Sequence, residues 1–171
     1  MEITLFKPHK GQRAVIDNFA DSSHKFGVVS TGRQFGKSLL GQNLMLYWLL
    51  QSPKQKGAWI SPIYNQSKKV FQELSSASNQ IVKHSNKADL DEAAFIKEIA
   101  MQEAIYPTLS ALGKKCLIIS TPKSKNWFFN AYLKGSTANS DYISFRGISV
   151  DNPHIDAGFI DEQRKSLPPE I

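Results

Sequence analysis

A short stretch near the start of the chain combines residue types that bind a triphosphate. Residues 28–38 read Val-Val-Ser-Thr-Gly-Arg-Gln-Phe-Gly-Lys-Ser, and an apolar, helix-like segment follows them. A buried strand that leads through a loop into a helix beginning Gly-Lys-Ser is the context of a nucleotide phosphate loop, or P-loop. The backbone amides of such a loop and the positive end of its helix attract phosphate oxygens. The sequence therefore predicts a nucleoside triphosphate site.

The predicted loop residues differ in what they contribute. Gly36 lets the backbone approach the phosphates, Lys37 can neutralise the β- and γ-phosphates, and the Ser38 hydroxyl is the expected Mg²⁺ ligand. The usual pattern places a glycine five residues before Gly36, where this chain has Thr31, and Gly32 follows one position later. The alternative is a chance Gly-Lys-Ser at a helix start, which the flanking strand and helix disfavour. The remaining predicted nucleotide contacts in the loop are Thr31, Gly32, Arg33, Gln34 and Phe35.

The departure at Thr31 has a parallel in a known family. Gly-Arg-Gln-x-Gly-Lys-Ser, at residues 32–38, resembles the P-loop of terminase large subunits, in which an Arg-Gln pair occupies the loop. The resemblance implies that Arg33 contacts the γ-phosphate and steadies its charge during hydrolysis. The alternative is a solvent-exposed loop arginine.

An acidic pair, Asp91 and Glu92, resembles the acidic motif of the same family. The resemblance implies that Asp91 holds Mg²⁺ through water. It also implies that Glu92 orients or deprotonates the attacking water, as general-base chemistry requires. The alternative is an ordinary helix start, where acidic residues are favoured by the helix dipole.

The segment before Asp91 departs from the family. A buried apolar strand normally precedes the acidic pair, but residues 84–90 read His-Ser-Asn-Lys-Ala-Asp-Leu and cannot form one. Compared with the family, a few tens of residues are therefore expected to be absent, through a genetic deletion, a shortened sequence, or a numbering that skips residues. We favour the last explanation. It predicts two nominally consecutive Cα atoms between Lys83 and Asp91 that are much further apart than ~3.8 Å.

Two further segments resemble motifs of the same ATPases. Cys116 to Ile119 reads as a buried strand, and Ser120 and Thr121 follow at the strand end where open α/β sheets bind ligands. The resemblance implies that these hydroxyls sense the γ-phosphate and couple hydrolysis to DNA movement; an ordinary strand cap is the alternative. The segment from Phe6 to Arg13 looks like the adenine-binding segment. There Gln12 would read the adenine edge and Phe6 would pack on the base, with a surface helix start as an equal interpretation.

Composition limits the classes of protein. The 171 residues suffice for one domain, and 21 Lys and Arg against 15 Asp and Glu give a net charge of +6, compatible with DNA as a partner. A single cysteine, Cys116, excludes an internal disulfide framework and a Cys-rich zinc site. The histidines, at positions 9, 24, 84 and 154, show no metal-ligand spacing and are interpreted as structural or surface residues. No apolar run approaches the ~20 residues of a membrane span.

Helical and strand patterns alternate along the chain. Strands are predicted at Lys25–Ser30, Gly57–Ser61, Lys115–Ser120 and Tyr142–Val150. Helices are predicted at about 9–20, Ser38–Leu50, Tyr64–Ser76, Ala93–Leu112, Trp127–Lys134 and Ala157–Ser166. Apolar strands separated by helices indicate a mainly parallel sheet with helices on both faces. The predicted fold is thus an α/β P-loop NTPase, and the resemblance implies the additional-strand (ASCE) type.

The ordered set of motifs identifies residues 1–171 as similar to the N-terminal ATPase domain of a terminase large subunit, without its C-terminal nuclease domain. The resemblance implies ATP hydrolysis with ATP and Mg²⁺, translocation of double-stranded DNA into a procapsid, and no DNA cleavage. It further implies a portal and a small terminase subunit as partners, a homo-oligomeric ring or a monomer in isolation, and a location in the host cytoplasm and at the procapsid portal. A helicase-type P-loop ATPase and a catalytically silent nucleotide-binding assembly domain are the alternatives.

Overall fold

The computed structural model describes residues 7–51, 58–79, 99, 101–107, 115–138, 140–156 and 158. Within them, the helices are α1 (Lys10–Phe19), α2 (Lys37–Leu50), α3 (Tyr64–Asn79) and α4 (Trp127–Lys134). The strands are β1 (Phe26–Thr31), β2 (Cys116–Ser120) and β3 (Tyr142–Gly147). A π-helical turn covers Met101–Ile105, and a 3-10 turn covers Ser149–Asp151.

The three strands form one parallel sheet with β1 in the centre, in the order β2-β1-β3. Val28 lies opposite Ile118 on one side and Ser144 on the other. Parallel neighbours need crossover connections, which here contain the helices. The carboxyl ends of all three strands therefore lie at the same edge of the sheet.

Each face of the sheet packs on its own set of helices, because successive side chains of a strand point to opposite faces. Val28 and Ile118 belong to a core with residues of the π-helical turn and α4. Val29 and Ile119 belong to a second core with residues of α1 and α2. β1 and β2 are thus buried on both faces, which explains their continuous apolar sequence.

Lys115 fixes the C-terminal end of α1 to the start of β2. Its Nζ donates to the carbonyls of Phe19 (3.0 Å), Ser22 (2.5 Å) and His24 (2.9 Å), which lie at or just beyond the last turn of the helix. The ammonium also lies 4.7 Å from the centre of the Phe19 ring. Burial lowers the pKa of Lys115, while the charge of Asp21 acts in the opposite direction. The lysine thus bonds a helix-terminal carbonyl and two carbonyls of the following turn, and so fixes the C-terminal end of α1 beside β2.

Most predicted elements agree with the described ones, and two differ. The predicted strand Tyr142–Val150 ends at Gly147, because the Asp151 carboxylate accepts from the amide of Ile148 (2.8 Å) and the chain turns into a 3-10 turn. The predicted strand Gly57–Ser61 is reduced, in the described part, to a single bridge residue, Ile60, and Pro62 ends it because proline has no amide proton.

Several predictions fall on residues that lie outside the described part of the chain. These are the gap between Lys83 and Asp91, the predicted last helix apart from Gly158, and most of the predicted helix Ala93–Leu112. Residues 101–107 of that predicted helix are described, and they are helical. None of the described helices combines the length and apolar character that a membrane crossing requires.

Candidate functional site

The loop predicted to bind phosphate lies at the carboxyl edge of the sheet, between the central strand and a long helix. β1 ends at Thr31, and α2 begins at Lys37 with Gly36 as its N-cap residue. Gly36 has a φ of 83°, which L side chains rarely adopt, so glycine is required there. The N-terminus of a 14-residue helix therefore faces this edge of the sheet and contributes partial positive charge.

The carbonyls of four consecutive loop residues are held by donors from outside the loop. The Arg33 carbonyl accepts from Ser149 Oγ (2.7 Å), and the Gln34 carbonyl accepts from Asn152 Nδ2 (2.7 Å). The carbonyls of the next two residues, Phe35 and Gly36, contact His9 and Gln12 of the segment that begins α1. Two segments distant in sequence, one at the start of α1 and one after β3, thus hold the loop from two sides.

This arrangement fixes the direction of the loop amides. In a trans peptide the carbonyl and the following amide point in opposite directions. Carbonyls of residues 33–36 that point toward outside donors therefore turn the amides of residues 34–37 to the other side of the loop. Gln34 and Gly36 have positive φ values, 60° and 83°, on either side of Phe35. This alternation is typical of an anion-binding nest of backbone amides.

Lys37 joins the loop to the end of the neighbouring strand. Its Nζ donates to the Gly32 carbonyl (3.0 Å) and to Thr121 Oγ1 (3.0 Å), and the residue is only 8% exposed. The two predicted coupling residues differ in position. Thr121 contacts the P-loop lysine directly, whereas Ser120 is completely buried and its hydroxyl donates to the Thr121 carbonyl (3.2 Å).

Gln12, predicted to bind the adenine edge, is one of the residues that hold the loop carbonyls. It is 3% exposed, and its Oε1 accepts from the His9 amide (3.1 Å). Its Nε2 donates to the carbonyls of Phe35 (3.4 Å) and Gly36 (3.2 Å), which occupies both of its donor positions. The adenine role of Gln12 stays a prediction, and in this geometry Oε1 alone retains capacity, as an acceptor.

The remaining predicted loop contacts differ in exposure. Arg33, Gln34 and Ser38 are exposed. Phe35 is 1% exposed, and its ring meets the His9 ring edge-on at 4.8 Å between centroids. Thr31 is also 1% exposed, and its Oγ1 has no hydrogen-bond partner among the described residues. Phe35 and Thr31 therefore offer a ligand their backbone rather than their side chains.

Three predicted site residues, Phe6, Asp91 and Glu92, lie outside the described residues, and their roles stay predictions. Three residues in contact with the loop were not predicted, namely His9, Ser149 and Asn152. His9 lies in the segment predicted to bind adenine. No local sequence pattern indicates that Ser149 and Asn152 contact the loop, because their partners are 116 and 118 positions away.

The chain resembles curated phage proteins in sequence, whereas no family model matches it. It is 25% identical to the terminase large subunit of Escherichia phage T5 over 197 aligned positions, which cover 94% of the chain and 45% of that protein. It is 27% identical to the terminase large subunit of Thermus virus P23-45, over 78% of the chain and 38% of that protein. The chain thus spans less than half the length of these relatives.

A solved structure agrees with the sequence comparisons. The large terminase ATPase domain of Thermus phage P74-26 superposes with a TM-score of 0.77 at 25% identity, over 95% of the chain and 90% of that domain. The resemblance to the ATPase domain of phage-type terminase large subunits is therefore confirmed. The prediction of a P-loop NTPase fold with a parallel sheet and helices is confirmed with it.

The alignment with the phage T5 protein extends over 197 positions, more than the 171 residues of the chain. The relative therefore has residues inside the aligned span that this chain lacks. That such residues are missing between Lys83 and Asp91 stays a prediction.

Proposed function

We propose that this chain is the ATP-hydrolysing motor domain of a terminase large subunit, which powers the movement of double-stranded viral DNA into a procapsid. One observation carries the proposal. In the loop from Gly32 to Gly36, the four carbonyls of residues 33–36 point toward donors outside the loop. The Lys37 ammonium donates to the Gly32 carbonyl of the same loop. A loop of this shape at the end of a central parallel strand suits a triphosphate.

The described residues fit a nucleotide with magnesium. The amides of residues 34–37, the start of α2 and the Lys37 ammonium would meet the phosphate oxygens. The Ser38 hydroxyl is exposed in the first turn of α2, where a phosphate-bound cation would lie. We assign Ser38 and Asp91 to the metal, which when bound neutralises charge on the β- and γ-phosphates.

In the proposed mechanism, Lys37 exchanges its contacts with the loop and Thr121 for contacts with phosphate oxygens. Glu92 orients the water that attacks the γ-phosphorus and accepts its proton, while the bond from this phosphorus to the β,γ-bridging oxygen breaks and ADP leaves. Arg33, exposed on the loop, steadies the charge that develops on the γ-phosphate. The change in the position of Lys37 then shifts Thr121 and the residues that follow β2. This shift is the proposed start of the coupling between hydrolysis and DNA movement.

The proposed partners follow from the relatives and from charge. The net charge of +6 suits a polyanion such as double-stranded DNA. We propose that the motor acts as a homo-oligomeric ring with a portal and a small terminase subunit, in the host cytoplasm and at the procapsid.

The proposal is tested by ATP turnover of the chain with and without double-stranded DNA. Lys37→Ala should abolish turnover while the fold is retained, and Lys68→Ala, an exposed lysine on α3, is the matched control with parental turnover. Glu92→Gln should bind ATP but not hydrolyse it. Unchanged turnover in Lys37→Ala would contradict the P-loop assignment.

One alternative has a specific observation in its favour. The sequence before the acidic pair, at residues 84–90, lacks the apolar run that would predict a strand, and the alignment with a relative is longer than the chain. A catalytically silent nucleotide-binding assembly domain would have these features. ATP binding with Lys37-dependent affinity, but without turnover in the parent in the presence of DNA, would favour that function over the motor.

A further inference from the structure

The residues that follow β3 make a continuous contact with the P-loop. We call residues 147–152 the strap. The Gly147 carbonyl accepts from the Gly32 amide (3.3 Å), Ser149 Oγ donates to the Arg33 carbonyl (2.7 Å), and Asn152 Nδ2 donates to the Gln34 carbonyl (2.7 Å). Three consecutive loop residues are thus each bonded to the strap.

The strap is itself held in one conformation. The Asp151 carboxylate accepts from the Ile148 amide (2.8 Å), and the Asn152 amide donates to the Ser149 carbonyl (3.1 Å). Asn152 Oδ1 accepts from the His154 amide (3.0 Å). Because Asn152 Oδ1 accepts from the His154 amide, Asn152 Nδ2 is directed at the loop. Ser149 and Asn152 therefore meet the loop as preoriented donors.

The loop conformation at the strap is one that needs support. Gln34 has a φ of 60°, a left-handed conformation that is unfavourable for a residue with a side chain. Such conformations persist where the surroundings determine them. The bond from Asn152 is made to the carbonyl of this same residue. At Gly32, a Cβ would overlap Ser149 Oγ, so the loop approaches the strap as closely as glycine permits.

We propose that Ser149 and Asn152 are positioning residues for nucleotide binding, which act through the loop backbone and do not touch the ligand. By holding the carbonyls of Arg33 and Gln34 outward, they turn the amides of the next residues toward the phosphates. They thereby raise nucleotide affinity because the anion site exists before the ligand arrives. This inference rests on the proposed P-loop function.

The test compares Ser149→Ala, Asn152→Ala and the double variant in the full chain. Val150→Ala, an exposed apolar residue of the same 3-10 turn, is the matched control, and Ser149→Thr should restore the hydroxyl donor. Affinity for Mg²⁺-ATP is measured with a fluorescent ATP analogue, and the melting temperature is measured without nucleotide.

Each single variant is expected to weaken binding about tenfold, and to raise KM more than it lowers kcat, because uniform binding is lost. The nucleotide-free melting temperature should change by only a few degrees, since both bonds are exposed. A purely structural role would instead lower the melting temperature and leave the affinity of the folded chain unchanged. Should the double variant not fold, the single variants carry the test.

Lys37→Ala separates the two proposals. Parental affinity in both strap variants, together with lost affinity in Lys37→Ala, would overturn the strap inference and leave the P-loop function in place. Parental affinity in Lys37→Ala as well would overturn the proposed function itself.

Discussion

Lys37 Nζ lies 3.0 Å from Thr121 Oγ1, so the P-loop lysine is hydrogen-bonded to the first residue after β2. The two residues lie 84 positions apart in the sequence, and adjacent parallel strands bring them together. In the proposed function, a phosphate that draws the Lys37 ammonium toward it changes this contact. We therefore expect occupancy of the P-loop to affect the position of the segment that begins at Thr121.

Removal of the Thr121 hydroxyl should impair hydrolysis more than folding. Thr121→Val keeps the side-chain shape but leaves the Lys37 ammonium without one acceptor. Because the proposed coupling acts through this hydroxyl, its removal should raise the activation free energy, and a rise of about 1.4 kcal/mol lowers ATP turnover about tenfold. Turnover is measured as phosphate release. Thr121→Ser should retain activity, and a Thr121→Val variant as active as the parent would exclude the proposed coupling role.

Gly147 is predicted to tolerate no side chain, because its missing Cβ faces the Phe35 ring. A Cβ at this position would overlap Phe35 Cε2 and lie 2.9 Å from Cζ. Overpacking of this kind costs about 1–3 kcal/mol, so Gly147→Ala should lower the melting temperature by several degrees. It should also weaken nucleotide binding, because Phe35 belongs to the loop. The control is Gly158→Ala, where the nearest atom is an Asp156 side-chain oxygen at 3.1 Å; equal melting temperatures of the two variants would contradict the prediction.

Stability above pH 10 should depend on Tyr142. Its ring stacks on Phe26 at 4.5 Å between centroids, and its hydroxyl donates to Tyr106 Oη (3.4 Å). Burial, followed by the bond to Tyr106, raises the pKa of Tyr142 well above its ordinary value of 10.0. In strong alkali the folded chain therefore binds more protons than the unfolded chain.

The contribution of this group to the free energy of unfolding is complete below pH 10 and decreases as the pH rises above it. Tyr142→Phe, which cannot ionise, should lose less stability than the parent between pH 9 and pH 11. Denaturant unfolding at several pH values measures this difference. Parallel pH profiles for the two proteins would show that the burial of Tyr142 has no such effect.

The strands and helices around the loop can be predicted from the sequence, because the residue patterns that indicate them are local. Apolar runs such as Cys116–Ile119 predict buried strands, and Gly-Lys-Ser after a strand predicts a helix start. The end of β3 was predicted too late, at Val150, since the apolar residues at 148 and 150 favour a strand. The Asp151 side chain decides otherwise by capping the Ile148 amide.

The contacts that shape the loop were not predictable from local pattern. Ser149 and Asn152 are ordinary turn residues in sequence, and only the pairing of β1 with β3 brings them to the loop. Gln12 is assigned to adenine from the resemblance of its segment to an adenine-binding segment and from its side-chain chemistry. In the fold, both of its donor positions are used on the carbonyls of Phe35 and Gly36.

The P-loop is held by His9 and Gln12 on one side and by Ser149 and Asn152 on the other. Its shape is therefore a property of the finished chain and not of the local motif. During synthesis on the ribosome, residues 32–37 emerge long before residues 149–152 can support them. We expect a nascent chain to acquire its full affinity for nucleotide only after Asn152 has left the exit tunnel.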